Sequence, residues 1–121
     1  MLIADKSIHQ KLKREIEMLN DALTPATDDQ TIITVRKLST HCRSPEMNEE
    51  ERATWFVDWC VDVEEMRLPL PLLETAAKQW RRSNNPFMPT FGQLYEMVKK
   101  EHRGLTCLVE RAVEVSEKIG A

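Results

Sequence analysis

Residues 48–66 read NEEERATWFVDWCVDVEEM, and this stretch decides the fold class. Its first residue, Asn48, can cap a helix, and the three glutamates that follow suit the positive end of the helix macrodipole. Large apolar residues then recur on one helical face, whereas Asp58, Asp62 and Glu65 occupy the opposite face. The apolar set is Trp55, Phe56, Trp59, Cys60, Val63 and Met66. We therefore predict an amphipathic helix at the centre of an all-helical fold.

Before this segment the sequence predicts two further helices. The first spans about residues 5–23, where apolar residues follow one another at steps of three and four, close to heptad spacing. Its apolar stripe consists of Ile8, Leu12, Ile16, Leu19 and Leu23. Packing on the protein's own core is the favoured interpretation of this stripe, and a homodimer through the N-terminal helix is the alternative.

The second helix is predicted over about residues 28–42. Thr27 and Gln30 have the spacing of a capping box, in which each side chain binds the backbone N–H of the other residue. The residues expected to be buried are Ile32, Val35, Leu38 and Cys42. Residues 31–35 are all β-branched and could equally form a strand, but no partner strand is evident, so a helix is predicted.

Three more helices are predicted after the central segment. Pro71 suits the first turn of the next helix, whose apolar side chains recur at helical spacing. These side chains are Leu73, Ala76, Ala77 and Trp80. Thr90 and Gln93 form a second capping box at the start of a fifth helix, and Gly104 separates a last helix from it. The stripe of the last helix is Leu105, Leu108, Val109, Ala112, Val115 and Ile119.

The predicted architecture is all-α, a compact bundle of five to six short helices in one domain over residues 1–121. The N-terminal amphipathic helix occupies residues 1–24, the core helices 28–103 and the C-terminal helix 105–119. A hydrophobic content of 41% is enough for one core, and only three glycines and six prolines favour helices over an all-β fold with its frequent turns. The predicted core set is Trp55, Phe56, Trp59, Ala76, Trp80 and Phe91.

The charge balance gives no general reason to bind nucleic acid, because the net charge is −3. Charge is nevertheless uneven, since residues 46–65 are mainly acidic and residues 76–104 mainly basic. The favoured interpretation is that the two segments complement each other in the fold. A DNA-binding site is the alternative, and it would use Arg81, Arg82, Lys99, Lys100 and Arg103.

The sequence contains no recognisable catalytic or metal-binding pattern. Its three cysteines are widely spaced and its three histidines lie on different predicted segments, so neither a disulfide framework nor a metal site is predicted. These residues are Cys42, Cys60, Cys107, His9, His41 and His102. No glycine-rich phosphate loop, nucleophile elbow, membrane-length apolar run or signal peptide is present. We expect a cytoplasmic protein that is not an enzyme and has no cofactor.

Residues 80–91, WRRSNNPFMPTF, form the most unusual connection in the sequence, because two prolines bracket Phe87 and Met88 between two helices. The favoured interpretation is a rigid turn in which Phe87 and Met88 fold back to close the core. The alternative is an apolar ridge, flanked by Arg81 and Arg82, that holds a partner.

The region that includes this turn resembles a known family. A helix with Trp55, a second helix that ends in a polar stretch, and the turn FMPT at residues 87–90 before a third helix are similar to the N-terminal helical domain of small phage replicative-helicase loader and inhibitor proteins. The resemblance covers about residues 48–98. The chain departs from the pattern at Met88, where the family tends to have proline, and in its longer N-terminal segment.

The resemblance implies a non-enzymatic adaptor that binds a hexameric, DnaB-type replicative helicase. Such a protein loads or restrains the helicase during phage or plasmid-type DNA replication, and its C-terminal part contacts the helicase. By position alone this implies partner-binding residues Leu105, Leu108, Val109, Ala112 and Val115, with Arg81, Arg82 and Phe87 next. Gly104 would act as a hinge before this helix.

Two alternatives accompany this assignment. In the first, the C-terminal helix packs on the N-terminal stripe and simply completes the bundle. In the second, the protein is a small helical regulator that binds a different protein partner, which the sequence does not name.

Overall fold

The structure, a computed structural model, describes the backbone of residues 2–120 and the side chains of residues 7–119. The six helices are α1 (Leu2–Ala22), α2 (Asp28–His41), α3 (Glu49–Glu65), α4 (Leu70–Arg81), α5 (Phe91–Glu96) and α6 (Lys99–Gly120). Over the described residues no β-strand forms, and the predicted all-α bundle is confirmed.

Local capping determines where three of the helices begin. The Gln30 N–H donates to Thr27 Oγ1 at 3.2 Å and the Thr27 N–H donates to Gln30 Oε1 at 3.0 Å, which is the predicted capping box of α2. The same reciprocal pair forms at the start of α5. At the start of α3, Asn48 Oδ1 accepts from the Glu51 N–H at 2.8 Å. All three predicted caps are confirmed.

Residues 31–35 are helical, so the helix prediction for this β-branched run is confirmed. The buried residues of α2 are Thr31, Val35 and Leu38. Ile32 and Cys42 were expected in the buried set but are only half-buried, and Cys42 lies just beyond the end of the helix. Tertiary packing on α3 and α4 has therefore outweighed the local strand preference of this segment.

The core is built by α2, α3, α4 and α5, in which α2 packs on both α3 and α4, and α4 packs on α5. The most deeply buried residues come from these helices and the turns between them, and they are Val35, Val63, Leu68, Leu73, Ala76, Leu94 and Val98. Two isolated β-bridges link loops across the core, between Pro25 and Pro69 and between Arg43 and Phe87. These bridges fix the paths of the chain on either side of α2.

The six residues of the predicted core set lie in or against one cluster. Trp59, Ala76 and Trp80 are buried, whereas Trp55, Phe56 and Phe91 are half-buried and pack on the buried residues. The rings of Trp55, Phe56, Trp59 and Phe91 form a continuous series of edge contacts, with 5.1 Å between the Trp55 and Phe56 centroids, 6.1 Å between Trp55 and Trp59, and 5.7 Å between Trp59 and Phe91. Such edge-to-face geometry is favourable between aromatic quadrupoles.

The predicted helix boundary at Gly104 is wrong. Helix α5 ends at Glu96, and α6 begins at Lys99 and continues through Gly104 to Gly120, so Gly104 is not a hinge. The predicted division into core helices at 28–103 and a C-terminal helix at 105–119 therefore falls inside α6. A glycine in a helix interior costs only about 1 kcal/mol relative to alanine, and the packing of α6 on α1 offsets this cost.

Helices α1 and α6 pack chiefly on each other, and we call this pair the arm. Leu23, just after α1, lines the same surface cavity as His102 and Thr106 of α6, so the two helices run antiparallel. Among the described residues, none of α1 and none of α6 beyond His102 is fully buried. The arm thus lies outside the core and joins it through the start of α6.

The seam of the arm has coiled-coil spacing. The half-buried residues are His9, Leu12, Ile16, Leu19 and Leu23 on one side and Leu105, Val109, Ala112 and Ser116 on the other, all at alternating steps of three and four. His9 is the polar member of the first set, and its Nδ1 is buried without a hydrogen-bond partner among the described residues. The stripe that suggested a homodimer through α1 is therefore covered by α6 of the same chain.

Candidate protein-binding surfaces

The predicted partner-binding residues of α6 are divided between two environments. Leu105, Val109 and Ala112 are half-buried in the seam against α1, as the alternative of packing on the N-terminal stripe describes. Leu108 and Val115 point out of the seam, with 54% and 46% of their surfaces exposed. The sequence pattern merged these two groups because both lie within one wide apolar stripe of the helix wheel.

Helical geometry places the exposed residues of both arm helices on one side. In an antiparallel coiled coil, heptad position g directly precedes the seam position a. The g residues of the two helices lie on the same side of the seam. On α1 this position is occupied by Ile8, Glu15 and Ala22, and on α6 by Glu101, Leu108 and Val115. Met18 lies on the same side of α1 but further from the seam. We call Ile8, Met18, Leu108 and Val115 the apolar arm face.

The other side of the arm is polar. Its flanking residues include Lys13, Glu17, Asn20, Thr106, Glu110 and Glu117, with Val113 as one apolar exception at 36% exposure. By contrast, Ile8 and Met18 are 53% and 66% exposed on the apolar arm face. Four of the six exposed large apolar residues of the described arm thus lie on this side, together with the carboxylates of Glu15 and Glu101.

A second apolar surface lies between α2 and α3, and the sequence analysis missed it. A shallow groove is lined by Asp28, Ile32, Ala53, Phe56, Val57, Cys60, Val61 and Glu64. Val57 is 58% exposed and Val61 is 43% exposed, and Ile33 on α2 is 54% exposed. The available signal was the i, i+4 spacing of two valines outside the aromatic stripe of α3.

Acidic groups border this groove and act on its cysteine. Burial raises the pKa of the Cys60 thiol, and the nearby carboxylates of Asp28 and Asp29 raise it further. Burial also raises the pKa of the Cys42 thiol. Because the thiolate is the nucleophilic form, both thiols are less reactive at neutral pH than an ordinary cysteine. All three cysteines of the chain are free.

The turn at residues 80–91 has features of both predicted forms, the rigid turn that closes the core and the apolar ridge that holds a partner. Trp80 Nε1 donates to the Phe87 carbonyl oxygen at 2.8 Å, and Met88 packs half-buried against the core. Phe87 does not close the core as the favoured interpretation expected, because its side chain is 58% exposed. Arg81 and Arg82 are also exposed, at the end of α4. The backbone of the turn is fixed while Phe87 remains available.

His102 joins the arm to the core. It is buried, and its Nδ1 lies 2.8 Å from the Tyr95 hydroxyl oxygen. The Tyr95 ring stacks on Phe91, which contacts Trp59 of α3. This histidine therefore has a structural partner, and His9 and His41 lie on other helices.

A metal cluster and a membrane-spanning helix are both absent over the described residues. In that part of the chain no group of three or more His, Cys, Asp or Glu side chains is arranged to hold a metal ion. Of the helices described, none has both the length and the apolar character needed to cross a membrane.

Comparison of the chain with protein-family models, with curated proteins and with solved structures found no match. The resemblance to phage helicase loader and inhibitor proteins therefore continues to rest on residues 48–98 alone.

Proposed function

We propose that this protein is a non-enzymatic adaptor that binds a hexameric replicative helicase through the arm and loads or restrains it during DNA replication. The observation that carries the proposal is the apolar arm face, where Leu108 and Val115 stand uncovered on α6. The resemblance over residues 48–98 supplies the identity of the partner, and the arm supplies a surface for it.

The arm face suits a helix-in-groove contact. Leu108 and Val115 are seven residues apart, about two helical turns or roughly 10 Å, which is the spacing of anchors that enter a hydrophobic groove. Leu105, Val109 and Ala112 hold α1 against α6, so their part in partner binding is to keep the exposed anchors in place. The proposal therefore assigns direct contact to Leu108 and Val115.

A regulator that binds another protein is the second candidate, and the α2–α3 groove favours it. The groove offers apolar contact through Val57 and Val61 beside the carboxylates of Asp28 and Glu64. A partner at this groove would be independent of the arm. Substitutions on the two surfaces therefore distinguish the two candidates.

The test measures binding of this protein to purified hexameric replicative helicases by biolayer interferometry. Leu108→Glu should weaken binding at least about tenfold, since it places a charge at an apolar anchor, whereas Val113→Glu on the polar side of the same helix should leave binding within about twofold. Loss through Val57→Glu instead would favour the groove and the second candidate.

Salt dependence supplies the control for nucleic acid. Binding through the apolar arm face should change little between low and high salt. A DNA contact through Arg81, Arg82, Lys99, Lys100 and Arg103 would weaken steeply, by about five hundredfold for five phosphate contacts between 50 and 200 mM salt. Absence of binding to every helicase tested would contradict the proposal.

A further inference from the structure

A groove runs between α2 and α4, which lie side by side and parallel. Just before the two helices begin, the Ala26 N–H donates to the Leu68 carbonyl oxygen at 3.0 Å. Just after they end, a β-bridge joins Arg43 to Phe87. The groove has a volume of about 540 Å³, and residues 71–81 of α4 border it over roughly 15 Å. It is therefore long enough to hold several units of a chain molecule and not only one small ion.

The side chains that line this groove are mainly basic. Lys37 comes from α2 and Lys78 and Arg81 from α4, and the carboxylate among the lining residues is Glu74. All four side chains are exposed, and packed helices lie about 8–10 Å apart, so cations from both walls can contact one anionic chain in the groove. Among the described side chains, none of these three cations forms an ion pair. The positive charge of the groove is therefore available to a ligand.

An exposed aromatic ring stands where the groove ends. Trp80, the chain neighbour of Arg81, donates from Nε1 to the Phe87 carbonyl oxygen at 2.8 Å, and the Phe87 side chain remains 58% exposed. The bridge sets the exposed Arg43 beside Phe87, and no guanidinium of the described residues lies over the Phe87 ring. An uncovered ring on a fixed backbone, next to cations, is the arrangement on which the bases of a single nucleic-acid strand stack.

We propose that the α2–α4 groove binds the phosphates of a single nucleic-acid strand and that Phe87 stacks on one of its bases. Lys37, Lys78 and Arg81 contact phosphates within the groove, and Arg43 contacts a phosphate beside the ring. Phosphate contacts carry no sequence information and stacking accepts any base, so the site is tolerant of sequence. The site is separate from the arm and does not depend on the proposed function.

Fluorescence anisotropy of the full chain with a labelled oligo-dT strand of about 20 nucleotides tests the site. With four phosphate contacts, the affinity should fall about fiftyfold between 50 and 200 mM salt. Lys78→Gln should weaken binding about eightfold at 50 mM salt and lower the salt slope by about 0.7. Glu74→Gln should instead tighten binding, because it removes a carboxylate that repels phosphate. A chain that does not bind the strand at 50 mM salt overturns the proposal.

Lys100→Gln is the matched control for Lys78→Gln. Lys100 is also exposed, and the substitution removes the same charge from α6, in the basic run at residues 99–103. It should leave the dissociation constant within about twofold of the parent. Circular dichroism checks that each variant keeps its helix content. Equal losses from Lys78→Gln and Lys100→Gln would mean a diffuse attraction and would overturn the assignment to the groove.

Phe87→Ala tests the stacking contact. It keeps the bond from Trp80 Nε1, which goes to the backbone carbonyl oxygen of residue 87. Binding of the oligo-dT strand should weaken at least about fivefold, since stacking on an aromatic side chain contributes to affinity at each base. Binding of a duplex of the same length should stay unchanged, because its bases are enclosed in the helix and do not reach the ring. Strand binding that ignores Phe87→Ala, or an equal loss for strand and duplex, overturns the stacking contact.

Discussion

Trp59 is the residue on which the core depends most directly. It is only 4% exposed, and its ring contacts Trp55 on its own helix and Phe91 on α5. No other aromatic residue both belongs to α3 and contacts a ring from another helix among the described ring contacts. Trp59 therefore provides a main side-chain contact between α3 and α5, which have few other contacts.

We predict that Trp59→Ala lowers the free energy of unfolding by roughly 3–5 kcal/mol, because it removes a large buried side chain and leaves a cavity. Urea denaturation followed by circular dichroism measures the loss. Val57→Ala, on the same helix but 58% exposed, should change the free energy by less than about 0.5 kcal/mol. Equal losses from the two substitutions would contradict the assignment of Trp59 to the core.

At the residue scale, sequence analysis succeeded where the determining interaction is local. The capping boxes of Thr27 and Thr90 involve residues three apart, so spacing alone predicted them. It failed for Phe87, which is adjacent to Met88 and equally apolar, yet only Met88 packs inward. The direction of each side chain depends on the backbone bonds of the turn to Arg43, which is distant in sequence, and on the bond from Trp80 Nε1 to the Phe87 carbonyl oxygen.

At the element scale, Gly104 lies in a continuous helix with open space around it. An added Cβ at this position would have no heavy atom within 4 Å. We therefore predict that Gly104→Ala stabilises the protein by about 0.5–1 kcal/mol, since alanine restricts the unfolded chain and favours the helix. Thermal melting at low protein concentration measures this change. A decrease in melting temperature would indicate that the residue bends or separates the helix after all.

The pairing of α1 with α6 shows what an amphipathic pattern leaves undetermined. The stripes of both helices were visible in the sequence, because apolar residues recur at steps of three and four. The pattern does not specify whether Leu12 and Leu19 contact α6 of the same chain or α1 of another. Only the antiparallel arrangement defines which residues flank the seam, and so which side of the arm is left apolar.

At the scale of the whole molecule, the core and the arm are separable in their contacts. All three tryptophans and nearly all buried side chains lie between residues 24 and 104. We predict that a fragment of residues 24–104 folds cooperatively, because it keeps the core helices together with the buried His102. Near-ultraviolet circular dichroism and thermal melting of the fragment, beside the full chain, check this.

A fragment without a cooperative transition would contradict this division, since it would mean that α1 and the rest of α6 contribute to the core. Removal of residues 105–121 alone leaves α1 in the chain without the helix that it packs on. It uncovers Leu12, Ile16 and Leu19, so α1 should lose its helix along with the deleted residues while the core remains folded.

The arm also has a consequence for synthesis of the protein. Its two helices come from opposite ends of the sequence, and residues 23–98 are translated between them. For these 76 residues the ribosome needs about 4–15 s at roughly 5–20 residues per second. Throughout that interval the nascent α1 carries its heptad stripe without its native cover. Until α6 emerges, α1 segments on neighbouring ribosomes can pair through this stripe in place of the arm.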